Sequence, residues 1–268
     1  MSSTIQPHNE PVAARWSTGG REYERISASI ADSIEHCVQR LAPRPGERIL
    51  DLATGTGWTA RRLHQHGAKV VGVDIASDLL DAARQISPRE IDFKVADAES
   101  LPFRDGEFDG ATSTCGIMFV SRPEAAAAEL ARVLRKGGRF ATTCWTPDST
   151  VAAMFKIIRA YMPPPPDPSK APPSPFEWGK AERVRELLGG AFDLRFERGT
   201  SFYRDANPEA AWHAFVTGYG PVKALAQSLA PDRRSAIEQE FVALHRQYVT
   251  ELGIQVPREY HLVYGVKR

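Results

Sequence analysis

The chain has 268 residues, a net charge of +1 (34 Lys and Arg against 33 Asp and Glu) and three cysteines. That length sits near the limit for one hydrophobic core, and 42% apolar with 25% charged residues excludes global disorder. The balanced charge argues against a protein that grips phosphate backbones. Cys37, Cys115 and Cys144 have neither metal spacing nor an even disulfide count, which predicts no metal site and a reducing, cytoplasmic setting.

In chain order, residues 26–41 have helical spacing and end at Pro43-Arg44-Pro45-Gly46. Ile49 and Leu50 begin a strand closed by Gly55-Thr56-Gly57, and a helix over 58–66 ends at Gly67, a C′ glycine. Strands are predicted over 69–74, 91–95, 108–115 and 139–145. Ser77 is the expected N-cap of the helix after the second strand, and Pro123 opens an alanine-rich helix running to about Lys136. Strands alternating with helices in this way imply parallel βαβ units. Beyond this block, 149–161 reads as helix, and 162–175 holds eight prolines, which points to a polyproline-like connection. Residues 180–188 suggest a helix and 194–203 a strand. Two or three helices follow over 208–252, and 260–266 alternates like a final strand. The start of the chain lacks the apolar segment of a secretory signal, and no apolar run reaches the length of a membrane span.

The informative stretch is Asp51-Leu52-Ala53-Thr54-Gly55-Thr56-Gly57. A glycine turn between strand and helix lets backbone approach a ligand at a helix N-terminus. Gly55-x-Gly57-x-x-Ala60 also satisfies the dinucleotide fingerprint, so two ligands compete: a nicotinamide dinucleotide, with its anionic pyrophosphate, and S-adenosylmethionine, with a cationic sulfonium and ammonium. Asp51 stands just before the turn, where a carboxylate would repel a pyrophosphate and attract an ammonium; it can equally bond the turn backbone. Asp74 ends the second strand and can accept ribose hydroxyls. Asp97 ends the third and can accept from an adenine amine. Carboxyl ends of parallel strands are where open α/β sheets bind ligands.

Four segments in order, LDLATGTG, VVGVDIASDLLDAAR, VADAESLPFRDGEFD and ELARVLRKGGRFATTCW, resemble the class I S-adenosylmethionine-dependent methyltransferases of the ubiquinone and menaquinone biosynthesis type. The resemblance covers about residues 47–145. It implies an α/β, Rossmann-like, seven-stranded, mostly parallel sheet with helices on both faces and an antiparallel last strand, in a single overall domain. Within that domain, residues 1–46 would form a helical segment that completes the core and closes over the cofactor. Residues 47–145 would form the cofactor core. Residues 146–268 would supply the Pro-rich connection, the last two strands and a helical substrate cap at about 207–252. By resemblance, Asp51, Ala53, Gly55 and Gly57 line the methionine side of S-adenosylmethionine. Asp74 and Ile75 hold the ribose and flank the adenine, and Asp97 and Ala98 contact the adenine. Cys115 and Gly116 lie beside the methyl donor, and Tyr23 closes over the cofactor. Ala53 replaces the first glycine of the usual family pattern.

After the fourth strand the chain has Ser113-Thr114-Cys115-Gly116, not the Asn/Asp-Pro-Pro-aromatic motif of DNA and amino-group methyltransferases. With near-zero charge, this predicts a small-molecule substrate and no nucleic-acid partner. Met118, Phe119 and Trp145 follow strand ends and would line an apolar pocket, with Trp212, Phe215, Tyr219, Phe241 and Tyr248 as candidates for its roof. Methyl transfer from a sulfonium is an in-line displacement in which alignment supplies much of the rate. A hydroxyl or acidic carbon acceptor would also use a general base. His213, His245 and His261, then Tyr219 and Tyr260, are available, and the sequence selects none of them. A nicotinamide oxidoreductase and a non-catalytic cofactor-binding protein are the alternatives.

Overall fold

The computed structural model describes residues 5–164 and 173–268. Helices α1 (Glu10–Ser17), α2 (Tyr23–Ala28) and α3 (Ala31–Leu41) precede β1 (Arg48–Leu52). The central block then runs α4 (Trp58–Gln65), β2 (Lys69–Asp74), α5 (Ser77–Ile86), β3 (Asp92–Val95), β4 (Phe108–Thr114), α6 (Pro123–Val133) and β5 (Leu134–Trp145). The remainder comprises α7 (Thr150–Tyr161), α8 (Ala181–Leu188), β6 (Phe192–Asp205), α9 (Pro208–Gly218), α10 (Gly220–Ser228), α11 (Pro231–Arg246), β7 (Val249–Thr250) and β8 (Gly253–Lys267).

The sheet order is β3-β2-β1-β4-β5-β8-β6, with the short β7 paired to β8. Neighbours from β3 to β5 are parallel, while β8 runs antiparallel to both β5 and β6. The chain thus has a mostly parallel sheet with an antiparallel last strand. Helices α3 and α4 pack together, as do α6 and α8, giving helical layers around the sheet. Because helices cover both faces, β1 and β2 read as nearly continuous apolar runs, and every residue from Ile49 to Leu52 and from Val70 to Asp74 is buried. Toward the other edge, β8 alternates, burying Ile254, Val256, Arg258, Tyr260 and Leu262.

Several elements differ from the sequence-based expectation. The helix expected over 26–41 is two helices, divided where Ser29 Oγ donates to the Ile26 carbonyl (2.7 Å) and Ser33 Oγ to the Ile30 carbonyl (2.9 Å); such local side-chain bonds compete with helix continuation. Helix α1 contains Arg15 and Trp16, within the 1–46 segment that the resemblance implies is helical but at positions where residue spacing alone marks no helix. Ser77 is the first residue of α5 and not its cap; its hydroxyl donates to Asp78 Oδ1 at 3.1 Å, and Ala76 stands at the cap position. Helix α6 stops at Val133 and β5 starts at Leu134, since Leu134 already pairs with Phe108 before a register shift. Strands β6 and β8 are longer than expected because they pair with each other from Phe192–Lys267 to Asp205–Ile254. The expected helix start at Ser149 does hold an N-cap, with Ser149 Oγ accepting from Ala152 N at 3.2 Å. Of the Pro-rich connection, residues 165–172 lie outside the described residues. No helix among the described residues is long and apolar enough to cross a membrane.

Candidate functional site

The carboxyl ends of β1, β2 and β4 meet at one edge of the sheet, and backbone conformation shapes the space between them. Ala53 (φ 53°) and Cys115 (φ 53°) occupy the left-handed region that L-residues rarely adopt, at the ends of β1 and β4. Strain of this kind collects at functional sites. Gly116 lies against Ala53 so closely that a Cβ on it would sit 2.5 Å from the Ala53 Cβ. Gly55 (φ 55°) turns under Tyr23, whose ring would be 3.2 Å from an added Cβ. Its N–H donates to Asp74 Oδ2 at 2.9 Å, so the acid at the end of β2 fixes the glycine turn after β1.

These residues open onto a cavity of about 790 Å³, counting its solvent-open mouth. Its walls include Tyr23, Ala53, Gly55, Asp74, Ile75, Asp97, Ala98, Cys115, Gly116 and Phe119. Two expected residues stand outside it. Asp51 is 1% exposed, accepting from Thr54 Oγ1 (2.6 Å) and Thr112 Oγ1 (2.9 Å). Burial raises its pKa to about 7, against the opposing pull of those two hydroxyls. Gly57 (φ 83°) forms the start of α4 and faces the Phe93 ring. Burial also raises Asp74, opposed by its backbone donors Ala76 and Gly55.

The N-terminal segment covers this cavity at the end of β3. Asp97 Oδ2 accepts from Gln6 N (3.0 Å) and Asn9 Nδ2 (2.8 Å), while Oδ1 accepts from Glu99 N (2.9 Å). His8 bonds Glu99 at 2.7 Å, and Asn9 Oδ1 accepts from Ser121 Oγ at 2.6 Å. Asn9, Val12 and Trp16 join the lining. Helix α2 is tied to the glycine turn by Thr56 Oγ1 donating to Ser27 Oγ (3.1 Å) and by the Arg61–Glu24 ion pair (2.8 Å).

A second cavity, about 680 Å³ with its open mouth, adjoins the first. The two share Tyr23, Ile30, Cys115 and Phe119. The second is mainly aromatic and aliphatic: Trp145 from β5, Met154 and Phe155 from α7, Tyr203 from β6, and Phe215 and Tyr219 from the region of α9. Trp16 meets Phe119 and Tyr219 at ring-centroid distances of 5.2 Å each, so one aromatic cluster spans the boundary. Of the other pocket candidates, Met118 is buried but lines neither cavity, and Trp212 packs on Phe241 at 5.3 Å. Tyr248 and Phe241 also line neither.

Among the titratable candidates, His245 and Tyr219 line the second cavity. His245 Nδ1 donates to the Phe241 carbonyl at 2.8 Å, which leaves the lone pair on Nε2. Burial lowers its pKa and keeps the ring neutral. His213 is exposed on α9, and His261 and Tyr260 line neither cavity; Tyr260 bonds His36 Nδ1 at 2.9 Å. Burial raises the Cys115 thiol to about 12, and its sulfur lies 3.5 Å from Thr143 Oγ1. It is a wall atom and not a thiolate. Among the described residues no cluster of His, Cys, Asp and Glu could hold a metal.

The residues that sequence reasoning missed include Asn9, Ile30, Phe155, Tyr203 and Arg258. For Arg258 a signal existed: it is a cation at an inward position of the alternating pattern Ile254, Val256, Arg258, Tyr260.

Comparison with known proteins places this geometry. Residues 50–142 match a family described as a methyltransferase domain. An uncharacterized protein of Mycobacterium tuberculosis is 34% identical over 215 residues, covering 78% of this chain and 77% of that one. The demethylmenaquinone methyltransferase of Corynebacterium kroppenstedtii is 31% identical over 165 residues, covering 60% of this chain and 70% of its own length. Among solved structures, the YcgJ protein of Bacillus subtilis superposes with a TM-score of 0.62 at 20% identity, covering 88% of this chain and 98% of that one.

Proposed function

Since the chain belongs to the class I S-adenosylmethionine-dependent methyltransferases of the ubiquinone and menaquinone biosynthesis type, we propose that it methylates a small, partly apolar metabolite held in the cavity beyond Tyr23 and Cys115. The single observation that carries this reading is the shared wall. Two cavities, one built from strand-end acids and glycine turns and the other from aromatic side chains, share Tyr23, Ile30, Cys115 and Phe119 as a common wall among the described residues. A donor in the first and an acceptor in the second would meet at that wall.

The first cavity suits S-adenosylmethionine, the cofactor of this family, which when bound supplies a methyl group activated by a sulfonium. Asp74 would take the ribose hydroxyls while keeping the glycine turn in place. Asp97 and Ala98 would flank the adenine, with one acceptor direction of Asp97 still free beyond its bonds to Gln6, Asn9 and Glu99. Ala53, Gly55 and Gly116 allow close backbone approach, and Asp51 acts behind them through charge. This set of anionic acceptors does not suit a pyrophosphate, so the nicotinamide alternative falls with the family assignment.

The aromatic cluster of Trp16, Tyr23, Phe119 and Tyr219 excludes water and aligns the acceptor, which is most of what an in-line displacement requires. Burial holds the Tyr23 and Tyr219 hydroxyls well above their ordinary pKa, so both stay protonated and can only donate or accept hydrogen bonds. Where the acceptor is a hydroxyl, His245 Nε2 is the neutral base on the cavity wall that can receive its proton.

Calorimetric titration with S-adenosylhomocysteine, followed by a methyl-label transfer assay over a broad acceptor panel, tests the reading. Micromolar binding with a labelled product supports it. No heat and no thermal shift at millimolar ligand would overturn it, and tight binding without product on any acceptor would leave a cofactor-binding protein without catalysis.

A further inference from the structure

Among the described residues, Arg258 is the one side chain of the second cavity that carries a formal charge at neutral pH. It is 7% exposed. Its guanidinium lies between two rings, 5.3 Å from the centroids of both Trp145 and Tyr203. Nη1 donates to Ser29 Oγ at 3.3 Å, and Nη2 donates to the Ser29 carbonyl and to Ser201 Oγ at 3.2 Å. A guanidinium has five N–H donors, so two are unspent, Nε–H among them. Among the described residues no carboxylate lies within ion-pair distance; Asp32 reaches Arg258 through Ser201, whose hydroxyl accepts from Arg258 and donates to Asp32 Oδ1 at 2.6 Å. Asp32 is itself engaged by the backbone N–H groups of Ser33 and Phe202. A cation removed from water with no direct counter-ion is unfavourable unless something else completes it.

We propose that Arg258 selects the acceptor, and that the acceptor is a small apolar carboxylic acid whose carboxylate pairs with this guanidinium while its hydrocarbon body packs among Phe155, Phe215 and Tyr219. This inference rests on the methyltransferase reading for the word acceptor, but the binding preference stands on the cavity alone. The choice of carboxylate follows from charge and geometry. One unpaired positive charge in an apolar cavity matches one negative charge, and planar guanidinium and carboxylate groups fit each other. A phosphate dianion would call for a second cation, and the lining supplies none. A simple phenol is neutral at pH 7 and leaves Arg258 without a counter-ion.

The test measures binding of matched acid and amide pairs (1-naphthoate and 1-naphthamide, phenylacetate and phenylacetamide) by calorimetry at pH 7, with and without S-adenosylhomocysteine. The acid of at least one pair should bind tenfold or more tightly than its amide. Arg258→Gln should bring the acid down to the level of the amide, with S-adenosylhomocysteine binding in the same sample reporting that the variant is folded, and Arg258→Lys should retain part of the preference. Amides binding as well as acids, binding of neither, or an acid preference that survives Arg258→Gln would each overturn the proposal. Should the Gln variant not fold, the acid–amide ratio of the unmodified chain decides. Failure of S-adenosylhomocysteine to bind would overturn the methyltransferase reading, and the acid–amide ratio without it would still judge Arg258.

Discussion

At the ends of β1, β2 and β4 the cavity wall is largely main chain: two non-glycine residues in the left-handed region, a glycine turn, and an aspartate whose oxygens hold backbone N–H groups. Around Arg258 the wall is almost all side chain, brought from α2, α7, β5, β6, α9, α11 and β8. The first kind of surface depends on the backbone of a few short segments at strand ends and tolerates little change. The second depends on many residues distant in sequence, each contributing area and shape.

This contrast can be broken by experiment. The largest effect is expected from Phe215→Ala, which should lower unfolding free energy by about 3–5 kcal/mol in chemical denaturation, because Phe215 is buried between Tyr203, Tyr219 and Phe241. If the halves are as separate as their construction suggests, affinity for S-adenosylhomocysteine will stay within a factor of two. Gly57→Val should cost about 1–3 kcal/mol for the left-handed backbone alone, with a further clash because its Cβ would sit 2.8 Å from the Phe93 ring. Calorimetry should then find cofactor binding lost, although Gly57 does not line the cavity.

Asp74→Ala should weaken S-adenosylhomocysteine binding by about 1–3 kcal/mol through loss of charge-assisted hydrogen bonds; unchanged affinity in a folded variant would remove Asp74 from the site. A smaller effect belongs to the far edge. Glu197 accepts from Arg40 and bonds His36 and Tyr264, and Arg40 above all lowers its pKa to about 2. Its stabilisation is therefore present above its ordinary value of 4.5 and lost as pH falls toward 2. Glu197→Gln should cost about 0.5–1 kcal/mol at pH 7, the scale of an exposed ion-pair network, and flatten the acid limb of the stability curve.

The smallest signal is a proton. Asp51, raised from 3.8 to about 7 by burial, makes the ligand-free protein lose stability as pH rises through that window. A cofactor ammonium nearby would favour its ionised form. Binding near pH 6.5 should then release a fraction of a proton, seen as a dependence of the binding heat on buffer ionisation enthalpy and absent in Asp51→Asn.

The same contrast explains what the sequence made legible. Asp51, Gly55, Asp74 and Asp97 stand at strand ends within a block of under 50 residues, where strand, turn and helix signals are local. Their placement needs only the order of parallel strands. Phe155, Tyr203 and Arg258 come together through the β6–β8 pairing and the path of α7, and no short-range pattern encodes those. Trp212 and Phe215 show the limit: both are aromatic residues on one helix, three apart, yet Phe215 faces the cavity and Trp212 the core. The turn between strand and helix is encoded locally, unlike element ends such as Val133–Leu134, where pairing with Phe108 decides the boundary.

The pairing of Asp205 with Ile254 has one more consequence. The chain leaves the sheet at the end of β6 and returns to it at β7, whose Val249 pairs with the same Ile254 at the start of β8. Everything in between, α9 to α11, is therefore a cassette with both terminals at one socket. Its length and content can be exchanged without shifting the register of any strand, since the entropy of closing such a loop grows only slowly with its size. Exchange of this cassette would alter the roof over the acceptor, while Arg258, seated in the socket strand itself, would stay in place.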